Sequence, residues 1–144
     1  MQRLLGKRVY LDTNVFIYAV EPTESMQPLF EKVTRLFELA LNQQLMAMTS
    51  ELSLAEVLVG AYKTSSALVE IYEGLLVDRP ELAVYAIDRD VLRHAARVRS
   101  QQKISLADAI HLSTALIHQA DIFISHDKRI NSPVTMLKLT LEDL

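Results

Sequence analysis

Cysteine is absent from this chain of 144 residues, and its absence excludes several kinds of chemistry. Without cysteine there is no disulfide, no thiolate nucleophile, no zinc–thiolate site and no iron–sulfur cluster. Glycine is scarce as well, because only Gly6, Gly60 and Gly74 occur and they lie far apart. A phosphate-binding loop or a dinucleotide-binding fingerprint needs closely spaced glycines, so both are excluded.

Long apolar runs and a strongly basic charge are also missing. A transmembrane helix needs about 18 consecutive apolar residues, and no such run occurs. The N-terminal region has no signal-peptide cleavage pattern, so we expect a cytoplasmic protein. The net charge is −3, so contact with nucleic acid must depend on a local basic patch or on a metal ion.

The chain is apolar and of ordinary domain size. Half of the residues are hydrophobic and only 23% are charged, which argues against a disordered chain. A chain of this length buries enough surface for one hydrophobic core, so we predict a single domain over residues 1–144.

Short apolar segments alternate with amphipathic ones. Strands are predicted at residues 9–11, 45–49, 82–87, 122–124 and 134–137. Helices are predicted at 13–19, 26–42, 50–62 and 66–76, and after Asp88 and Ser105. This order favours an α/β fold, with a short, mainly parallel sheet of four to five strands flanked by helices in three layers.

Helical spacing of apolar residues indicates which helix faces are buried. In helix 50–62 the expected buried stripe is Leu52, Ala55, Val59 and Tyr62. In the helix after Asp88 it is Val91, Leu92, Ala95 and Val98.

Four acidic residues lie near the ends of predicted strands or in the helices that follow. Asp12 follows the first strand, and Glu56 lies in the helix after the second. Asp108 lies near the start of the helix after Lys103 and Ile104, and Asp127 follows the fourth strand. Ligands of open α/β sheets bind beyond the carboxyl ends of the strands, so these acids can converge on one site.

Helix capping is the alternative explanation for the same acids. The segments Ser53–Glu56 and Ser105–Asp108 match the capping-box pattern, in which the acid bonds back to the start of the helix. Asp12 and Asp127 fit simple N-caps, each worth about 1 kcal/mol. Both explanations stay open from the sequence alone.

Four carboxylates at one point need a cation. Two like charges 4 Å apart repel by about 4 kcal/mol at an effective dielectric near 20. An all-oxygen set of ligands without cysteine favours Mg²⁺ or Mn²⁺ over zinc. Such metal sites usually bind phosphates and activate water.

Four segments in this order resemble the motifs of PIN-domain nucleases. They are Tyr10–Ile17, Leu54–Val57, Ala107–Ala115 and Ser125–Asp127. The resemblance covers about residues 8–137, and the length is similar to that of VapC-type toxins of bacterial and archaeal toxin–antitoxin pairs.

The resemblance implies a metal-dependent endoribonuclease with a PIN-like fold. One or two Mg²⁺ or Mn²⁺ ions would be held by the catalytic acids Asp12, Glu56, Asp108 and Asp127. Supporting contacts to these acids or to water would come from Thr13, Asn14 and Ser125. The family also implies an RNA substrate, a homodimer and, for toxins, a separate antitoxin protein.

Basic residues offer candidate RNA contacts. Arg89, Arg93 and Arg97 recur every four residues along one helix face, and Lys128 and Arg129 adjoin Asp127. Contacts to phosphates would position RNA without reading its sequence. An ordinary solvated helix face is the alternative explanation for the arginine stripe.

Two histidines, His111 and His118, follow Asp108 on the same predicted helix. A metal role is one interpretation of these histidines. They lack the His-Glu-x-x-His pattern of a metal site, so we expect them to pack in the core or at its polar edge.

Two other functions compete with the ribonuclease. An aspartate-based phosphatase needs a second Asp two residues after the first, and Asn14 occupies that position after Asp12. A catalytically inactive PIN-like module that binds RNA or protein is the other alternative, although the presence of all four acids argues against it.

Overall fold

The computed structural model describes all 144 residues as alternating strands and helices. The five strands are β1 (Arg8–Leu11), β2 (Met46–Ser50), β3 (Leu82–Tyr85), β4 (Ile122–Ile124) and β5 (Leu137–Leu139). The six α-helices are α1 (Thr13–Val20), α2 (Gln27–Leu41), α3 (Glu51–Thr64), α4 (Ser66–Leu75), α5 (Arg89–Gln101) and α6 (Leu106–Ile117). Short 3₁₀ helices span Gln2–Leu4, Glu24–Met26 and Leu141–Asp143.

All five strands form one parallel sheet in the order β3-β2-β1-β4-β5. Strand β1 is central, and its Tyr10 pairs with Met48 of β2 and Phe123 of β4. The predicted α/β fold with a short parallel sheet is therefore confirmed. Because every strand runs in the same direction, the carboxyl ends of all strands lie at one edge, called here the carboxyl edge.

The two faces of the sheet have separate hydrophobic cores, since successive strand residues point to opposite faces. Val9 and Leu11 belong to a core that includes residues of α1 to α4. Tyr10 belongs to the other core, with residues of α5 and α6. Tyr10 and Phe123 stack there with ring centroids 5.2 Å apart. Burial on both faces explains why the strands read as apolar runs rather than as alternating ones.

No helix in the structure combines the length and the apolar character needed to cross a membrane.

Strands β3 and β5 differ from the sequence prediction by two residues or more at one or both ends, whereas β1 and β2 differ by one residue. The fifth strand was predicted at 134–137, but Val134 is fully exposed at a turn closed by the Met136 N–H and the Pro133 carbonyl. Strand β5 instead begins at Leu137 and includes Lys138, whose charge hid the strand pattern. Strand β3 ends at Tyr85, two residues earlier than predicted.

The predicted buried stripe of α3 is wrong. Val59 is 60% exposed and Tyr62 is 69% exposed. The buried face is formed by Ser53, Val57 and Ala61. This stripe starts with a polar residue that faces other polar side chains, so a search for apolar spacing misses it. In α5, Val91, Ala95 and Val98 are buried as predicted, but Leu92 is exposed.

Two valines of α3 provide a matched test of this orientation. Val57→Ala should lower the free energy of unfolding by about 2 kcal/mol, because it leaves a cavity in the core. Val59→Ala should change it by less than about 0.5 kcal/mol, because Val59 is exposed. Denaturant unfolding followed by circular dichroism measures both values. Equal losses from the two substitutions would contradict the orientation of α3.

Candidate active site

Asp12 is buried at the carboxyl edge, between the end of β1 and the start of α1. Its side chain is only about 9% exposed. Oδ1 accepts a hydrogen bond from the Thr13 N–H at 2.8 Å, and Oδ2 accepts one from the Ser125 hydroxyl at 2.6 Å. The Asp12 N–H in turn donates to the carbonyl of Ile124, the last residue of β4. The carboxylate is thereby held by groups from β1, α1 and the end of β4.

Glu56 reaches the same edge from α3. Its Oε1 accepts a hydrogen bond from the Thr13 hydroxyl at 2.8 Å and lies 2.5 Å from Nε2 of His111. Burial alone raises the pKa of Glu56, but the hydrogen bond and the charge of His111 outweigh burial and lower it. Glu56 is therefore held as a carboxylate against a buried imidazole.

His111 lies between two of the predicted acids. It is 1% exposed, and its Nε2 is 3.6 Å from Oδ1 of Asp12 as well as 2.5 Å from Glu56. Burial alone lowers the pKa of His111, but the hydrogen bond to Glu56 and the nearby carboxylate charges outweigh it and raise the pKa. His111 is thus buried, in line with the expected packing in the core or at its polar edge, but its contact with Glu56 was not predicted from the sequence.

Asp108 lies in the first turn of α6, where its N–H donates to the side chain of the N-cap residue Ser105 at 3.0 Å. No ion pair reaches its carboxylate. Burial raises the pKa of Asp108, and the negative charges of Asp127 and Asp12 raise it further. Burial is the largest cause of the shift, and Asp127 and Asp12 lie close enough to add to it.

Asp127 lies in the loop after β4 and pairs with Arg129. Arg129 donates from its Nη2 to Oδ2 at 2.8 Å and from its Nε to Oδ1 at 3.1 Å. This hydrogen-bonded pair lowers the pKa of Asp127 to about 2. Lys138 of β5 lies behind the loop, where its ammonium donates to the carbonyls of Asp127 and Ile130.

The capping explanation fits only some of the acids. Asp12 does cap α1, as its bond to the Thr13 N–H shows, so capping and a place in the site are compatible. Ser53 does not start a helix, since the N-cap of α3 is Ser50, and the capping box predicted for Ser53–Glu56 does not form. No helix follows Asp127, which instead closes a turn by accepting from the Arg129 N–H at 2.9 Å.

Of the three predicted supporting residues, two contact the acids and one does not. Thr13 binds Glu56 through its hydroxyl, and Ser125 binds Asp12. Asn14 is half-buried in α1 and its side chain makes no hydrogen bond.

Asp12 and Glu56 thus both contact Thr13 and lie close to His111. Asp108 interacts electrostatically with Asp12 and Asp127. No three acidic or histidine side chains of the chain meet at metal-ligand distances.

The predicted basic contacts lie outside this cluster. Arg89, Arg93 and Arg97 are exposed on α5 and make no hydrogen bond or ion pair to the four acids. Lys128 is exposed beside the Asp127 loop, whereas Arg129 is bound to Asp127 itself.

Two residues of the site escaped the sequence prediction. For His111 a signal existed, because it is a polar residue in an apolar helix and lies three positions after Asp108, on the same helix face. For Lys138 there was none, because its contacts depend on how β5 and the loop after β4 approach each other.

The fold and the site define a class of protein: a parallel α/β domain with acidic side chains at the carboxyl edge. The family model of the PIN domain matches residues 9–133. The chain therefore belongs to the PIN domain family. A search of curated protein sequences gives no significant match.

Solved structures with a similar fold include toxin–antitoxin proteins. A toxin–antitoxin complex from Klebsiella pneumoniae is 21% identical with a TM-score of 0.66, covering 94% of this chain and 99% of the other. DNA-bound VapBC from Salmonella typhimurium is 17% identical with a TM-score of 0.69, covering 94% and 98%. VapC20 of Mycobacterium tuberculosis, a toxin that cleaves the sarcin–ricin loop, is 13% identical with a TM-score of 0.66, covering 83% and 90%.

The raised pKa of Asp108, caused first by burial and then by the charges of Asp127 and Asp12, can be tested through stability. A carboxyl whose pKa is higher in the folded state favours folding below its unfolded pKa of 3.8, and that contribution is lost as the pH rises through the folded pKa. Asp108→Asn should therefore raise the melting temperature at pH 7 in metal-free buffer with a chelator, by on the order of 2–4 °C. Thermal denaturation at pH 7, and at pH values falling toward 4, should show the gain shrinking with pH.

Asp90→Asn is the matched control, because Asp90 occupies the first turn of α5 as Asp108 occupies that of α6. Removing either charge loses the favourable interaction with a helix N-terminus. A melting temperature that falls equally in both variants would show that Asp108 feels no repulsion from the other acids.

Proposed function

We propose that the protein is a metal-dependent endoribonuclease that hydrolyses RNA phosphodiester bonds, and that it is the toxin of a toxin–antitoxin pair. The observation that carries the proposal is the set of acids that this PIN-domain chain places at its carboxyl edge, with Asp12 buried at the centre. The fold likeness to toxin–antitoxin proteins, one of them an RNA-cleaving toxin, supports both parts.

The donor chemistry of the site fits a hard divalent cation. The acids Asp12, Glu56, Asp108 and Asp127 supply only oxygen, which suits one or two Mg²⁺ or Mn²⁺ ions. The raised pKa of Asp108 supports this fit, since burial and the charges of Asp127 and Asp12 disfavour its ionised form and no ion pair of the protein reaches it. When bound, the metal supplies a water of lowered pKa and neutralises charge on the phosphoryl oxygens.

The residues of the chain itself orient the acids. Ser125 and the Thr13 N–H fix both oxygens of Asp12. The Thr13 hydroxyl fixes Glu56. Arg129, which is largely exposed, holds both oxygens of Asp127.

The partners follow from the same proposal. We expect an RNA substrate and a cytoplasmic location. We expect a homodimer and a separate antitoxin protein, and the latter is supported by neighbours that are toxin–antitoxin complexes.

A binding module without activity is the second candidate. One observation favours it, because the four acids do not form a ready-made metal site in this structure. Activity in the presence of metal separates the two candidates.

Cleavage of a mixed RNA pool by the purified protein tests the proposed function. We expect cleavage with Mg²⁺ or Mn²⁺ and none with a chelator. Asp12→Asn should lose at least about 100-fold in rate, since it removes a charged metal ligand. Asp90→Asn, the same change on an exposed helix, should cleave normally. No cleavage by a protein shown to be free of antitoxin would favour the binding module.

The arginine stripe of α5 can be tested by RNA binding in an Asp12→Asn background, where the substrate stays intact. If Arg97 contacts a phosphate, Arg97→Gln should lower the salt dependence of log K by about 0.7, the value for one single-strand contact. Arg99→Gln is the control, because Arg99 is exposed on the same helix away from the stripe. Identical slopes for the two variants would make the stripe an ordinary solvated face.

A further inference from the structure

A buried chain of hydrogen bonds lies behind Glu56 and joins three separate elements. The Tyr10 hydroxyl of β1 is 2.7 Å from Nδ1 of His111 in α6, and Nε2 of His111 is 2.5 Å from Oε1 of Glu56 in α3. Tyr10 and His111 are both buried, with 0% and 1% exposed.

The chemistry of the contacts assigns the hydrogen atoms. Nε2 of His111 faces oxygens, namely the Glu56 carboxylate and, at 3.1 Å, the Thr13 hydroxyl. A carboxylate only accepts hydrogen bonds, and the Thr13 hydroxyl donates its hydrogen to the same Glu56 oxygen. Nε2 must therefore carry a hydrogen. In the neutral imidazole Nδ1 is then the acceptor, and the Tyr10 hydroxyl is its donor.

This chain fixes the orientation of one carboxylate. Both hydrogen bonds to Glu56 go to Oε1, and Oε2 has none. The His111 ring cannot turn freely, because it packs edge-on against Tyr10, which is itself stacked on Phe123. The rigid core on this face of the sheet therefore sets where the Glu56 carboxylate points.

We propose that Tyr10 and His111 are positioning residues for Glu56: the Tyr10 hydroxyl fixes the Nε2–H tautomer of His111, and His111 holds Oε1 of Glu56 so that Oε2 is left for a divalent cation. The cation part of the proposal rests on the proposed function. The tautomer of His111 and the hydrogen-bond chain are independent of the proposed function.

Tyr10→Phe is the sharpest variant, because it removes one oxygen and keeps the ring stacked on Phe123. Tyr72→Phe is the matched control. Tyr72 is also fully buried, and its hydroxyl also bonds a carboxylate, Glu21, at 2.5 Å, but it lies in α4 outside the site.

Two measurements read out the proposal. The ¹⁵N shifts of labelled histidine, in metal-free buffer at a pH where the imidazole is neutral, report the tautomer of His111. Calorimetric titration with Mn²⁺ reports metal affinity. We expect the Nε2–H tautomer in the wild-type protein and in Tyr72→Phe, and a mixture of tautomers in Tyr10→Phe. The Kd for Mn²⁺ should rise about tenfold in Tyr10→Phe alone, as is typical when a partner behind a metal ligand is lost.

The outcomes separate this proposal from the proposed function. A wild-type His111 in the Nδ1–H tautomer overturns the positioning pair, and so does a Tyr10→Phe protein with unchanged tautomer and unchanged Mn²⁺ affinity. A wild-type protein in the Nε2–H tautomer that binds no Mn²⁺ overturns the proposed function and, with it, the cation part of this inference.

A second pair of variants tests whether His111 acts through Glu56 or binds the metal itself. The amide of His111→Gln reaches the place of Nε2 and can donate to Glu56, whereas that of His111→Asn stops near Nδ1. A positioning role predicts that Gln retains most of the Mn²⁺ affinity and that Asn loses about tenfold. Equal losses in both variants, with both proteins folded, would make the imidazole a ligand and overturn the positioning role.

Discussion

The buried carboxylate of Asp12 is the group on which the carboxyl edge depends. An ionised carboxylate out of water costs several kcal/mol unless hydrogen-bond donors replace the solvent. Here the donors are the Thr13 N–H and the Ser125 hydroxyl, which come from the start of α1 and the end of β4. Keeping them in place requires that β1 and β4 be neighbours in register, as their parallel pairing provides. The pairing of the central strands β1 and β4 therefore also positions the donors that hold Asp12.

Negative charge at this edge is compensated unevenly. Glu56 accepts a hydrogen bond from His111 and Asp127 is paired with the Arg129 cation, whereas Asp108 forms no ion pair and carries a raised pKa. Burial and the charges of Asp127 and Asp12 together make Asp108 the acid whose ionised form the fold stabilises least. A divalent cation gains most free energy where the protein has left charge unpaired, so the electrostatics of the fold favour a cation near this acid.

Residues whose role is local could be predicted from the sequence, and those whose role depends on packing could not. The alternation of segments predicts the parallel sheet, and the order of acidic motifs indicates Asp12, Glu56, Asp108 and Asp127. The orientation of α3 could not be predicted, because its buried face begins with Ser53, which bonds Thr49 rather than packing in the core. The role of His111 was missed for a related reason, since its partners Tyr10 and Glu56 lie far away in sequence.

The four acids also differ in how firmly the fold holds them, and this difference bears on how a cation would be bound. Asp12 has a hydrogen bond on each oxygen, and Glu56 has two on one oxygen, all from buried or half-buried donors. Asp127 is held by an arginine that is itself largely exposed, and Asp108 by no ion pair. Rearrangement is cheapest where the existing partners are exposed, because water replaces them at little cost. If a cation binds here as proposed, Asp108 and Asp127 are therefore the acids expected to move toward it, while Asp12 and Glu56 keep the positions that buried donors give them.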